Sequence, residues 1–130
     1  MKTEFQPVFL QLREILQKHK GRMSVKEDGH SSYCLEAAVG LGTIKVWKNK
    51  MRAPMIPVAW VDLKKSYVSY HLMGIYMNPK LQAGISKQLK ARMQGKSCFN
   101  FNTVDNVLFT ELDQLTARSI KAFKRGGYIS

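Results

Sequence analysis

Apolar positions near the N-terminus recur at helical spacing, with Phe5, Val8, Phe9, Leu12, Ile15, Leu16 and His19 falling on one face of an α-helix. Thr3 followed by Gln6 resembles a capping box, Pro7 is tolerated in a first turn, and Gly21 suits the position just past the end. Residues 23–32 are polar and turn-rich, with Asp28-Gly29 as a turn signal. The period then changes to two. Tyr33, Leu35, Ala37 and Val39 alternate with Cys34, Glu36 and Ala38, which predicts a strand. Gly40-Leu41-Gly42 reads as a hairpin turn into a second strand over 43–47 and not as a dinucleotide loop, because position 45 is Lys and no helical pattern follows. A basic loop over 48–54 leads to a third strand over 57–63, with Pro57 at its start, where a missing donor matters least.

The pattern over 66–77 predicts one long alternating strand. Asn78-Pro79 ends it and opens a short helix toward Leu81. Ser86 is expected to cap another short helix over 87–94 that stops at Gly95, and residues 97–102 alternate as a fifth strand. Asp105 is positioned to cap a last helix. Its inner face is Leu108, Leu112, Leu115, Ala122 and Phe123, its outer face includes Thr110, Asp113, Gln114, Arg118, Lys121 and Lys124, and Gly126-Gly127 ends it. Short connections favour antiparallel pairing with the helices on one face of the sheet, so the expected fold is a single α+β domain over 1–130, a two-layer sandwich.

Charge narrows the class of partner. The chain carries 21 basic and 9 acidic residues, a formal charge of +12. Nine basic residues oppose five acidic ones up to Lys50, and twelve oppose four after it. Between Leu63 and Val104 there is no acidic residue, while Lys64, Lys65, Lys80, Lys87, Lys90, Arg92 and Lys96 are all basic. Such an excess attracts phosphate, nucleic acid or acidic protein surfaces and repels cations. Two cysteines without an apolar leader point to a reduced, cytoplasmic protein, and no apolar run approaches the ~20 residues of a transmembrane segment.

The densest chemistry lies in the acid-free stretch. If Val68, Leu72, Phe99 and Phe101 face the helices, alternation leaves Tyr67, Ser69, His71, Cys98 and Asn100 on the other face, which an antiparallel sheet often leaves open to water. His71 is a possible general base. Cys98 is a possible nucleophile, its thiol expected to be acidified by Lys96 and by contact with His71. Against this, most such histidines are satisfied within the sheet surface, and most lone cysteines are small hydrophobes. Gly95-Lys96-Ser97 echoes a phosphate-binding loop but lacks the earlier glycine and the following helix, so it is at most an anion-contacting turn. The histidines and cysteines lack zinc-ligand spacing, and no cofactor is implied. Trp47, Trp60, Tyr67, Tyr70 and Tyr76 among lysines offer base-stacking surfaces, although aromatics are also ordinary strand residues.

Lys65, Tyr67-Val68-Ser69, His71-Leu72-Met73, Tyr76-Met77, Pro79, the run from Arg92 to Phe101 and, more loosely, Phe109 with Glu111-Leu112 resemble the YdhG-like family of uncharacterised bacterial proteins, whose fold is similar to frataxin. The resemblance implies a helix at each end packed on an antiparallel sheet. Position 74 is Gly where proline is expected in similar sequences. The resemblance also implies an iron-chaperone role, which the charge opposes. Iron of that kind prefers clustered carboxylates, and the first helix offers only Glu4 and Glu14 among Arg13, Lys18 and Lys20. The leading expectation is a non-enzymatic module that engages an anionic partner through the open sheet face and the basic segment 80–96, with Tyr67, Ser69, His71, Tyr76, Arg92, Lys96, Cys98 and Asn100 as ligand-binding candidates. The alternative is a small-molecule pocket or enzyme using His71, Tyr76 and Cys98.

Overall fold

The computed structural model describes residues 2–21, 23–38, 55–95 and 97–126, with side chains from Phe5 onward. Helix α1 (Lys2–Lys18) is followed by strands β1 (Ser24–Asp28), β2 (Ser32–Ala38), β3 (Met55–Leu63) and β4 (Val68–Leu72). Helix α2 (Met73–Met77), a 3-10 helix (Pro79–Gly84), α3 (Lys87–Lys90), β5 (Cys98–Phe101) and α4 (Asn106–Arg125) complete the order. The five strands form one antiparallel sheet in sequence order, so the expected α+β architecture with a helix at each end is the one observed.

The apolar stripe of α1 is core as expected: Val8, Phe9, Leu12, Ile15 and Leu16 are buried. Gly21 takes a positive φ of 54° beyond the helix end, a conformation glycine adopts without penalty. Lys2 already belongs to α1, so Thr3 lies inside the helix instead of capping it, and the Gln6 side chain reaches the His30 carbonyl. Asp105 caps α4, its carboxylate accepting from the Leu108 amide at 3.1 Å. Leu108, Leu112, Leu115 and Phe123 are buried on its inner face, and Phe109 meets Phe101 edge-on at 5.1 Å. One polar chain crosses this layer. Thr116 Oγ1 donates to the Leu112 carbonyl at 2.7 Å, so its single proton is used and the fully buried Tyr70 hydroxyl donates to Thr116 at 2.6 Å.

Three expectations are corrected. Residues 24–28, read as turn-rich, form β1; as an edge strand it buries only part of Val25, so its sequence carries no apolar alternation. The Asp28-Gly29 turn does join it to β2, the Gly29 amide donating to the Ser32 carbonyl. The strand expected over 66–77 stops at Leu72, and residues 73–77 turn into α2 and pack against α4. Gly74 makes that approach possible, because a Cβ there would collide with the Ser119 carbonyl and hydroxyl. The helix expected over 87–94 ends at Lys90. Beyond it, the chain runs along the outer edge of β5: Asn100 N–H donates to the Arg92 carbonyl, Gln94 N–H to the Cys98 carbonyl, and Met93 bridges Phe99. Backbone groups that an edge strand would leave bare are thereby satisfied. The expected strand over 43–47, the basic loop over 48–54, Trp47, Val39, Gly40-Leu41-Gly42 and Gly127 lie outside the described residues.

Candidate functional site

Register places the candidate residues in rows across the sheet. Cys34, Trp60, His71 and Cys98 align from β2 to β5, and Ser32, Asp62, Ser69 and Asn100 form the next row. The face opposite the helices therefore carries thiol, indole, imidazole, hydroxyl, carboxylate and amide groups two residues apart along each strand. Tyr67, Ser69, His71, Cys98 and Asn100 were expected on this face, and the register of β4 and β5 brings His71 beside Cys98 and Ser69 beside Asn100.

A hydrogen-bonded chain runs from the first row into the second. Cys98 Sγ lies 2.8 Å from His71 Nδ1, and His71 Nε2 lies 3.0 Å from Ser69 Oγ. Trp60 stacks on the imidazole, with ring centroids 4.7 Å apart and planes 13° from parallel. The ring is thus held at both nitrogens and on one face. Burial lowers the His71 pKa, a tendency that Lys64 reinforces and Asp62 opposes. Burial raises the Cys98 pKa and outweighs the Ser97 hydrogen bond that lowers it. Lys96 and contact with His71 alone predict the opposite sign for the thiol, and desolvation, which depends on the fold, reverses it; Lys96 lies outside the described residues. A neutral pair follows, with Cys98 S–H donating to Nδ1 and Nε2–H donating to Ser69 Oγ. Cys34 sits on the same row but is buried, its pKa pushed up to about 11, chiefly by desolvation.

Ser69 is 3% exposed, although alternation placed it on the open face. His71 covers it from one side, and Asp62 and Asn100 flank it in register. Tyr76 is separated from the group. It belongs to α2, not to a strand, and is 53% exposed on the helix layer.

Beside the second row, a polar hollow of about 330 Å³ opens where the β3–β4 turn meets the chain covering β5. Ser66, Tyr67, Arg92, Gln94, Asn100 and Asn102 line it. Asn100 Nδ2 donates to Gln94 Oε1 at 2.8 Å. Gln94 falls outside the candidates expected from sequence, because a helix over 87–94 does not align it with β5, and Asn102 shares the alternation of Cys98 and Asn100 without having been singled out. The basic segment leads into this hollow. Ile85 and Leu89 are buried and fasten it to the core, while Glu111 of α4 accepts from the Ser86 amide and hydroxyl at 2.7 and 2.6 Å. Ser86 in turn accepts from the Leu89 amide as the cap expected of it. Lys80, Lys87, Lys90 and Arg92 are left exposed, and none pairs with a carboxylate among the described residues.

A second hollow, between α1 and α4, is lined by Glu14, Lys18, Asn106 and Asp113 among others. Here Asp113 accepts from Lys18 and His19, closing the two helices together. No helix among the described residues is long and apolar enough to cross a membrane. Comparison of the chain with protein-family models, with curated proteins and with solved structures finds no match.

Proposed function

We propose that this protein is a cytoplasmic, non-enzymatic binding module whose partner carries phosphates, and that the polar hollow beside β5 is where that partner is held. One observation carries the reading: Arg92, exposed, stands beside Tyr67, Gln94 and Asn100 at the end of a segment whose other described cations, Lys80, Lys87 and Lys90, are exposed too, and none of the four pairs with a carboxylate among the described residues. Four cations anchored on one buried seam form a track for a polyanion, since Ile85 and Leu89 hold the backbone while the charged ends remain in water. Tyr67 is 38% exposed at the edge of the hollow and offers a ring on which a base stacks, and the amide groups of Gln94 and Asn100 offer hydrogen bonds to base edges or phosphate. Among phosphate-bearing partners, a single-stranded nucleic acid uses all three features. The five-stranded antiparallel sheet with a helix before its first strand and another after its last is compatible with the YdhG-like, frataxin-like resemblance.

The test is fluorescence anisotropy of a labelled single-stranded oligonucleotide across a salt series. Contacts with about four phosphates give a slope of log K against log salt of roughly −3, and neutralising Lys87, Lys90 and Arg92 together removes most of it. Absence of binding at low salt, or binding that the triple variant leaves unchanged, overturns the proposal.

A further inference from the structure

We infer that Cys98 is a nucleophilic thiol with its own built-in base, His71, positioned by Ser69 and Trp60 to react with small hydroperoxides on the sheet face opposite the helices. The arrangement has the parts that nucleophilic chemistry by a neutral side chain requires: a nucleophile within hydrogen-bond reach of a base, and the base fixed in turn by a third group. Sγ to Nδ1 is 2.8 Å, Nε2 to Ser69 Oγ is 3.0 Å, and the Trp60 ring prevents the imidazole from tilting away. Cys98 is partly exposed, whereas Cys34 is buried.

In the step, Nδ1 takes the thiol proton as the sulfur attacks the distal peroxide oxygen. The S–O bond forms, the O–O bond breaks, and the departing oxygen receives the proton from the imidazolium. The products are a sulfenic acid and an alcohol or water; the sulfur is oxidised by two electrons and the peroxide is reduced by two. Cys34 cannot resolve this product as a disulfide. Three strand spacings separate the two residues along the row, roughly 14 Å, where a disulfide needs Cα atoms within about 7 Å. The sulfenic acid therefore awaits an external thiol, which makes Cys98 a site of reversible modification.

The pH profile separates this from an ordinary thiol. The groups that face the pair are Asp62 at the end of β3 and Lys64 just beyond it; the first raises the His71 pKa and the second lowers it, with burial setting the net downward direction. A base with a lowered pKa is already neutral at pH 7. The Cys98 rate therefore rises only up to mildly acidic pH and then levels, whereas a thiol reacting by prior ionisation climbs through pH 9.

The experiment treats the intact protein with hydrogen peroxide over pH 5–9, traps sulfenic acid with a dione reagent, and reads Cys98 and Cys34 separately by peptide mass spectrometry. Cys98 is expected to react at least about tenfold faster at pH 7 than a free-thiol peptide, less than the roughly hundredfold at the lower end of general-base catalysis because burial raises the thiol pKa, with Cys34 slower still. His71→Gln is expected to bring Cys98 down to the peptide rate and convert the levelled profile into a climbing one. Ser69→Ala, whose thiol and imidazole both remain, is expected to lower the rate severalfold with the levelled profile retained. A wild-type Cys98 rate equal to that of the peptide overturns the inference, and so does a wild-type profile that climbs through pH 9. Neither result depends on any variant folding.

Discussion

Gly74→Ala adds one methyl group at the point where α2 meets α4. The Cβ would lie well inside the contact distance of the Ser119 carbonyl and hydroxyl, and Ser119 is 1% exposed in the middle of a 20-residue helix. A backbone carbonyl cannot rotate aside as a side-chain end can, so α2 must shift, at a cost of about 1–3 kcal/mol for an overpacked core. Alanine's better helix propensity returns up to about 1 kcal/mol. The carbonyl clash places the cost in the upper part of its range, which leaves a net loss of roughly 1–2 kcal/mol and a fall in Tm of roughly 4–7 °C for a domain of this size. Calorimetry or thermal circular dichroism measures it. Adding Ser119→Ala removes the hydroxyl but not the carbonyl, so the double variant recovers only part of the loss. A Tm equal to or above that of the parent shows that propensity alone governs position 74 and refutes the close approach.

Thr116→Val leaves the buried Tyr70 hydroxyl without an acceptor and is expected to cost about 1–3 kcal/mol, whereas Tyr70→Phe with Thr116→Val recovers much of it because neither polar group then remains; a denaturant double-mutant cycle checks this, and a fully additive result contradicts it. Burial tends to raise the Asp113 pKa, but the hydrogen bonds from Lys18 and His19 outweigh it and leave the value lowered. The folded carboxyl thus binds its proton less readily than the unfolded one, so its contribution is complete above about pH 4 and is lost as the pH falls through the lowered value. Urea denaturation at pH 6 and pH 2 should show Asp113→Asn destabilising at the first and less so at the second. Equal effects at both pH values contradict the assignment.

Where one physical signal dominated, the sequence was legible. The stripes of α1 and α4, the caps at Ser86 and Asp105, and the alternation of β2 and β5 each follow from local periodicity or from a single side-chain bond. Register was the part that local pattern cannot carry. Whether His71 meets Cys98 depends on how β4 aligns with β5, and that pairing is set by packing of Val68, Tyr70 and Leu72 against helices remote in sequence. The strand expected over 66–77 failed for a related reason. Met73, Ile75 and Met77 alternate with Gly74 and Tyr76 as a strand would, yet burial of Gly74 against Ser119 lowers the energy of a helical turn, and only the tertiary contact reveals it. The sign of the Cys98 shift was inaccessible too, since desolvation depends on what surrounds the sulfur and not on which charges lie nearby in sequence.

The proposed seat of an anionic partner is the hollow beside β5. Backbone amide NMR of the labelled protein, titrated with a short single-stranded oligonucleotide at low salt, tests it at the residues named. Shifts concentrated at Ser66, Tyr67, Arg92, Gln94, Asn100 and Asn102 and fading as salt is raised are the predicted result. Shifts confined to the groove between α1 and α4, or none at all, would contradict it.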